Sequence, residues 1–288
     1  MPQTINTNIS SLNAQRNLNS SQSSLAVAMQ RLSSGMRVNS AKDDAAGMAI
    51  AERMTTQVRG MNAAIRNAND GISMSQTAEG SLGKVADALQ RMRELSVQAA
   101  NASNSGNDKD SLDKEFGELA KEIQRILAAT TFNGKKILSD DASTMSFQVG
   151  ANTSVDNVIA VATVNMTTNG SVTLVAGTDI DGTGRSNIDS SSDITVIHGV
   201  IDNIDQVLNL VNDTRATLGA SQSRFESVIS NLQVSVESQT AARSRIMDAD
   251  FAAETAAMSR SQILQQAGNA MVAQANQLPQ QVLKLLQG

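Results

Sequence analysis

From Ile201 to Val236 the chain keeps one unbroken rhythm. Ile201, Ile204, Leu208, Val211, Arg215, Leu218, Gln222, Phe225, Ile229, Leu232 and Val236 follow one another in steps of three and four. Nine of the eleven are apolar; Arg215 and Gln222 are the polar interruptions. Such steps lay a single stripe along one helix face, and an apolar stripe of that length must be covered by other helices. The helix is about 54 Å long at 1.5 Å per residue. Burial of each apolar seam residue stabilises it by about 1.5–3 kcal/mol.

The partners are upstream. Met54, Val58, Met61, Ile65, Ala68 and Ile72 carry the same spacing, which resumes at Leu82, Val85, Leu89 and Met92 after a soft interruption at Gly71 to Gly80. This predicts one long helix over about 45–102, ending in "NASNSGND". A second follows over about 108–129, opened by Asp108 or Asp110 as cap. Asn133-Gly134 is a two-residue turn signal. From about 140 to 195 the short runs "SFQVG", "VIAVATV" and "SVTLVAG" are β-prone and separated by turn residues, predicting a small region of hairpins. The two prolines, Pro2 and Pro279, lie near the ends, so no proline between them breaks a helix. With aromatics at 2%, the core has to be built from packed helices rather than rings.

Both ends carry weaker seams. Leu18, Leu25 and Leu32 recur every seven residues, with Met29 in the alternate slot and Ile5, Ile9 and Leu12 leading in. Leu264, Met271, Leu278 and Leu285 do the same at the other end. Residues 3–24 hold thirteen Asn, Ser or Thr, each costing on the order of 0.5 kcal/mol against Ala in a helix. That segment is expected to be disordered alone and helical only when packed. The strong helices run out and back, so the 264–285 seam is expected beside the 18–32 seam, with a further partner covering both. The fold class predicted is mainly α: a long antiparallel helical coiled-coil rod with paired terminal helices and a small β-hairpin region at the tip.

Several chemistries are disfavoured. The formal charge of −5 is segregated: residues 1–66 hold seven basic and three acidic side chains, 67–242 twelve and twenty-two, 243–288 four and three. The basic ends are dilute and lack an aromatic platform or Arg cluster, so no nucleic-acid partner is expected. Absent cysteine excludes disulfides and thiolate metal sites and leaves the compartment open. There is no apolar run long enough for a transmembrane helix, hence no membrane insertion, and no cleavable secretory signal. The sole histidine, His198, has no zinc-site companions and reads as a polar residue entering the long helix. "DIDGTG" (179–184) resembles part of a calcium loop but lacks its third acidic ligand and distant Glu. Asn-x-Ser/Thr triplets, as at Asn101 and Asn152, are common by chance. No catalytic residue, cofactor or metal is expected, and the chain reads as a non-enzyme.

The motifs now in view resemble bacterial flagellin. "INTNISSLNAQRNL" (5–18), "LSSGMRVNSAKDDAAGMAIAERM" (32–54), "ANDGISMSQTAEGSL" (68–82) and "LQRMRELSVQAAN" (89–101) are similar to its N-terminal half. "LGASQSRFESVISNL" (218–232), "RIMDADFAAETAAMSRSQIL" (245–264) and "QVLKLL" (281–286) are similar to its C-terminal half. The resemblance covers about 1–138 and 196–288; the short region between is not motif-specific.

It implies a structural subunit that self-assembles into the flagellar filament, exported unfolded and polymerised outside the cell for swimming motility. By that resemblance 1–44 and 246–288 are the two parts of the filament-core helical domain, with a connecting spoke in the first. Residues 45–139 and 196–245 are the rod-domain helices, and 140–195 is a short variable β region. The implied assembly residues are Leu18, Leu25, Leu32, Leu264, Met271, Leu278 and Leu285. A dedicated export chaperone is implied at Leu264, Met271, Leu278, Val282 and Leu285. Contact with a Toll-like immune receptor of a host is implied at Arg91, Leu95 and Glu115, with Arg91 and Leu95 four apart on one face. Flagellar cap and hook-junction proteins are further implied partners. The alternatives are a hook–filament junction protein, or a secreted adhesin or effector with flagellin-like ends, for which 140–195 is a short insert.

Overall fold

The computed structural model describes residues 7–286, with side-chain surroundings through residue 277. Six helices dominate: α1 (Ile9–Ser34), α2 (Ala45–Ala99), α3 (Gly106–Ala129), α4 (Gly170–Ala176), α5 (Ile194–Met247) and α6 (Phe251–Leu286). Two antiparallel hairpins lie between α3 and α4: β1 (Thr131–Phe132) with β2 (Lys135–Lys136), and β3 (Thr144–Gln148) with β4 (Val158–Ala162). The chain divides into two compact units. One is Val58–Val236; the other combines the residues up to Gln57 with those from Glu237 onward.

The Val58–Val236 unit holds the main core. Every residue of the Ile201–Val236 stripe is buried or half-buried. It faces Met74, Leu82, Val85, Leu89 and Met92 of α2, with Phe116, Ile123 and Leu127 of α3 completing the cluster. The helices α2 and α5 run antiparallel: Arg93 pairs with Asp205 at 2.7 Å, while Gly71 lies against Phe225. The two polar interruptions meet one carboxylate. Gln222 Nε2 donates to Glu79 Oε2 at 2.9 Å, and Arg215 Nη2 lies 4.0 Å from Glu79 Oε1. A polar set at one seam level fixes register, because a slip of one turn leaves those groups without partners.

The interruption anticipated at Gly71 to Gly80 is absent; α2 is continuous there. Gly71 serves close approach: a Cβ at that position would lie 2.6 Å from Phe225 Cζ. The Phe225 ring in turn meets Phe147 of β3 edge-on, centroids 5.6 Å apart, so one glycine lets an α5 aromatic reach a hairpin.

Three local details differ from the sequence expectation. The N-cap of α3 is Ser105, not Asp108 or Asp110: its hydroxyl accepts from the Asp108 amide at 3.3 Å and the Asp108 carboxylate accepts from the Ser105 amide at 2.9 Å. This capping box satisfies two otherwise free donors. "SVTLVAG" is not a strand but α4. Asn169 caps it by accepting from the Ser171 amide, Gly177 ends it at φ 86°, and Val172, Val175 and Ala176 face the core. Capping and a helical burial pattern override the β-branched propensity. The long helix ends at Ala99 rather than near 102. The Asn133-Gly134 turn forms as expected, with φ of 49° and 79°.

After α4 the chain is tied to α3 by a half-hidden ion pair. Arg185 donates to both Asp113 carboxylate oxygens, at 2.9 and 2.6 Å, and its guanidinium carbon lies 5.6 Å from the Phe116 ring centroid. Asp113 also accepts from the Ile188 amide at 2.9 Å. Arg185→Ala leaves Asp113 with a single donor in a mostly buried position, and a loss of about 3–5 kcal/mol is expected. Urea unfolding followed by circular dichroism measures it.

Candidate assembly surfaces

The terminal unit is built on α1 packed antiparallel to α6. Asn8 Nδ2 donates to the Ala275 carbonyl at 2.7 Å and Ser11 Oγ to Asn276 Oδ1 at 2.7 Å. Leu18 lies over Gly268. Arg31 lies 3.8 Å from Glu254 at the other end of the pair. The inward stripe of α1 is Ser11, Ala14, Leu18, Ser21, Leu25, Ala28 and Leu32, all buried or half-buried. The sequence-predicted Leu18, Leu25 and Leu32 therefore do face a helix.

The expected α6 seam does not face α1. Leu264 is 50% exposed and Met271 58% exposed. The stripe turned to α1 is Met258, Ser261, Gln265, Gly268, Val272 and Ala275. Leu264 and Met271 each precede a stripe member by one residue, a rotation of about 100°. A seven-residue spacing runs equally through Ser261, Gly268 and Ala275, and size decides between the two rows. A Cβ on Gly268 would lie 3.2 Å from Leu18 Cδ1, so the helices meet where the side chains are small. Leu264 and Met271, with Ile263 and Phe251, are left on the outside of the isolated chain. Leu278, Val282 and Leu285 lie outside the residues whose side chains are described.

Between α1 and α2 the chain closes on the end of α5. Gly35, at φ 70°, caps α1 by donating to the Arg31 carbonyl at 2.8 Å. Such a left-handed cap is open to glycine at no steric cost. Met36 bridges to Asp248, the Arg37 amide donates to the Met247 carbonyl at 2.6 Å, and the Arg37 side chain donates to the Ile246 carbonyl at 2.8 Å. Val38 is buried. The "DD" of this stretch has two local tasks. Asp44 accepts from the Gly47 amide at 2.8 Å, at the start of α2. Asp43 gathers the Ser40 amide and hydroxyl and the Asn39 amide.

These donors, the Ser40 amide first, then its hydroxyl and the Asn39 amide, hold the Asp43 carboxyl below its ordinary value. A lowered folded-state pKa means that the turn is supported above the unfolded value and loses that support as pH falls through the folded one. The Ser40 amide resonance, followed by NMR, is expected to shift only below about pH 4.

The second group of predicted residues is divided by the structure. Arg91 is exposed and held on two sides: Nη1 donates to Glu94 Oε2 at 2.9 Å and Nε to Glu115 Oε1 at 2.9 Å. The bond to Glu94 first, then that to Glu115, raises the Arg91 pKa. Leu95 does not share that surface. It is 1% exposed and belongs to the core, because a four-residue step rotates by about 40° and carries the side chain over the helix edge. Reaching Leu95 from outside requires opening the fold.

His198 is exposed. Among the described residues no group of three or more His, Cys, Asp or Glu could hold a metal ion, and no helix is long and apolar enough to cross a membrane.

Comparison with known proteins identifies the family of the chain. Residues 5–143 match the family described as bacterial flagellin N-terminal helical region, and residues 201–286 match the bacterial flagellin C-terminal helical region. The chain is 44% identical to a flagellin of Halalkalibacterium halodurans, over 98% of this chain and 99% of that one. It is also 44% identical to a flagellin of Xenorhabdus nematophila, over 99% of this chain and all of the other. The crystal structure of Bacillus cereus flagellin covers 58% of this chain and 88% of its own, at 29% identity and a TM-score of 0.48. The likeness in sequence is what carries the assignment.

Proposed function

The chain belongs to the flagellin family, and from that premise we propose that α1 and α6 are the elements through which it polymerises. It is a structural subunit of the bacterial flagellar filament, an extracellular helical homopolymer that serves motility. In this reading 1–44 and 246–288 form the filament core, and 45–139 with 196–245 form the rod, leaving 140–195 as the variable region.

The observation that carries the proposal is the outward row on α6. Ile263, Leu264 and Met271 are large, apolar and exposed, while the small Ser261, Gly268 and Ala275 are turned to α1. A side chain of that size left in water forgoes about 1.5–3 kcal/mol that burial against a neighbour recovers. Copies of the same chain are the neighbours a homopolymer supplies. Before assembly the same row is a ready seat for an export chaperone at Leu264 and Met271; the further contacts proposed, Leu278, Val282 and Leu285, lie outside the residues whose side chains are described. Export of the unfolded chain, and a cap and hook-junction proteins at the filament ends, complete the set of partners. Expression in a strain lacking its own flagellin tests the reading. Swimming and filaments are expected; a strain that remains bald while exporting the chain would contradict it.

We further propose that a Toll-like receptor of a host would engage Arg91 and Glu115, which are exposed, and not Leu95, which is buried in the core. Arg91→Ala and Glu115→Ala are each expected to weaken receptor activation about tenfold in a reporter-cell assay. Thermal stability should change little, since exposed ion pairs contribute little.

A further inference from the structure

Among the described methionines, the buried ones and the exposed ones divide by unit. Met61, Met74, Met92 and Met166 are buried, and all four lie within Val58–Val236. Met29, Met48 and Met271 are 49%, 39% and 58% exposed, and all three lie in the terminal unit. Cys, Trp and Tyr are absent from the chain, so thioethers are its main targets for a mild two-electron oxidant. Two of the exposed ones, Met29 and Met271, lie on the outward faces of the terminal helices α1 and α6, and Met48 lies at the start of α2. Met29 stands on α1 near the exposed Val27, and Met271 continues the Leu264 row on α6.

We propose that Met29 and Met271 are oxidation sites through which hydroperoxides lower the capacity of the folded subunit to add to a filament end. The proposal rests on the reading of the terminal helices as assembly elements. In the step itself a thioether sulfur lone pair attacks one oxygen of the hydroperoxide. The O–O bond breaks, an S–O bond forms, and the other oxygen leaves as water after proton transfer, or as an alcohol from an alkyl hydroperoxide. Sulfur is oxidised by two electrons and the peroxide reduced by two. The product sulfoxide is polar and a strong acceptor, and burying it against a neighbour without a donor is unfavourable. A folded, unassembled subunit would keep its Val58–Val236 core, whose thioethers are shielded, and lose its capacity to add to a growing end. Incorporated subunits would be protected wherever a neighbour covers the same side chains.

The test uses purified full-length chain treated with hydrogen peroxide. Peptide mass spectrometry counts sulfoxide at each methionine, and seeded polymerisation is measured alongside. Met29, Met48 and Met271 are expected to oxidise well ahead of Met74, Met92 and Met166. The concentration needed for polymerisation is expected to rise by about tenfold or more. Reducing the treated chain with methionine sulfoxide reductases A and B and a dithiol is expected to restore polymerisation, since it returns both sulfoxide epimers to the thioether. Equal oxidation of exposed and buried sites would overturn the proposal, and so would a treated chain that still fails to assemble once mass spectrometry shows its sulfoxides reduced. An untreated wild-type chain that never polymerises would instead overturn the assembly reading, and the proposal with it.

Discussion

Leu264→Asp combined with Met271→Asp is expected to abolish seeded polymerisation while leaving the helical content of the soluble chain unchanged. Both side chains point away from α1 in the isolated subunit, so two carboxylates there remain hydrated and cost the monomer little. In a contact between copies the same carboxylates are buried without partners. Each then costs several kcal/mol after relaxation, and the cost recurs at every subunit of the polymer. A loss of about 5 kcal/mol per contact would raise the required concentration by more than a thousandfold, beyond reach in solution. Sedimentation and circular dichroism on the same samples separate the two effects. The contrasting substitution is Gly268→Leu, on the inner face. It forces a side chain into Leu18 and is expected to disturb the α1–α6 pair itself.

Phe225→Ala is expected to destabilise the Val58–Val236 unit by about 3–5 kcal/mol. The ring is fully buried, touches Phe147 edge-on and occupies the space opened by Gly71. Its removal takes away transfer free energy and leaves a cavity between α2, α5 and the β3–β4 hairpin. Gly71→Ala should also destabilise, by about 1–3 kcal/mol, because its new methyl group overlaps the ring. The double variant is the informative one. An alanine methyl at 71 partly fills the hole left by the ring, so the pair should be less destabilised than the two losses added together. Urea midpoints of the three variants and the parent chain give the coupling.

The parts of this fold that were legible in the sequence were those in which one stripe has one partner. The Ile201–Val236 row could be read residue by residue because every member, including Arg215 and Gln222, turns inward. What meets those two could not be read: Glu79 lies more than a hundred residues away, and no local pattern marks a cross-seam carboxylate. The terminal seams were legible only as periods. On α6 two rows share a seven-residue spacing, and the choice between Leu264–Met271 and Gly268–Ala275 depends on how near α1 can come. The lone glycine in a helix was the available sign, since Gly there is otherwise a cost. Leu95 was misplaced for a related reason: a four-residue step from an exposed Arg91 crosses the edge between surface and core. The strand expected at "SVTLVAG" shows the weakness of propensity over seven residues, where Asn169 and Gly177 at the boundaries decide the outcome.

The central claim is that the terminal helices, not the Val58–Val236 unit, carry polymerisation. Seeded assembly of the full chain beside a truncation to residues 45–242, read by sedimentation and negative-stain electron microscopy, tests it most directly. Filaments from the full chain and none from the truncation, with the truncation still folded by circular dichroism, are the predicted result. Equal assembly by both would move the interface onto the retained helices and contradict the account.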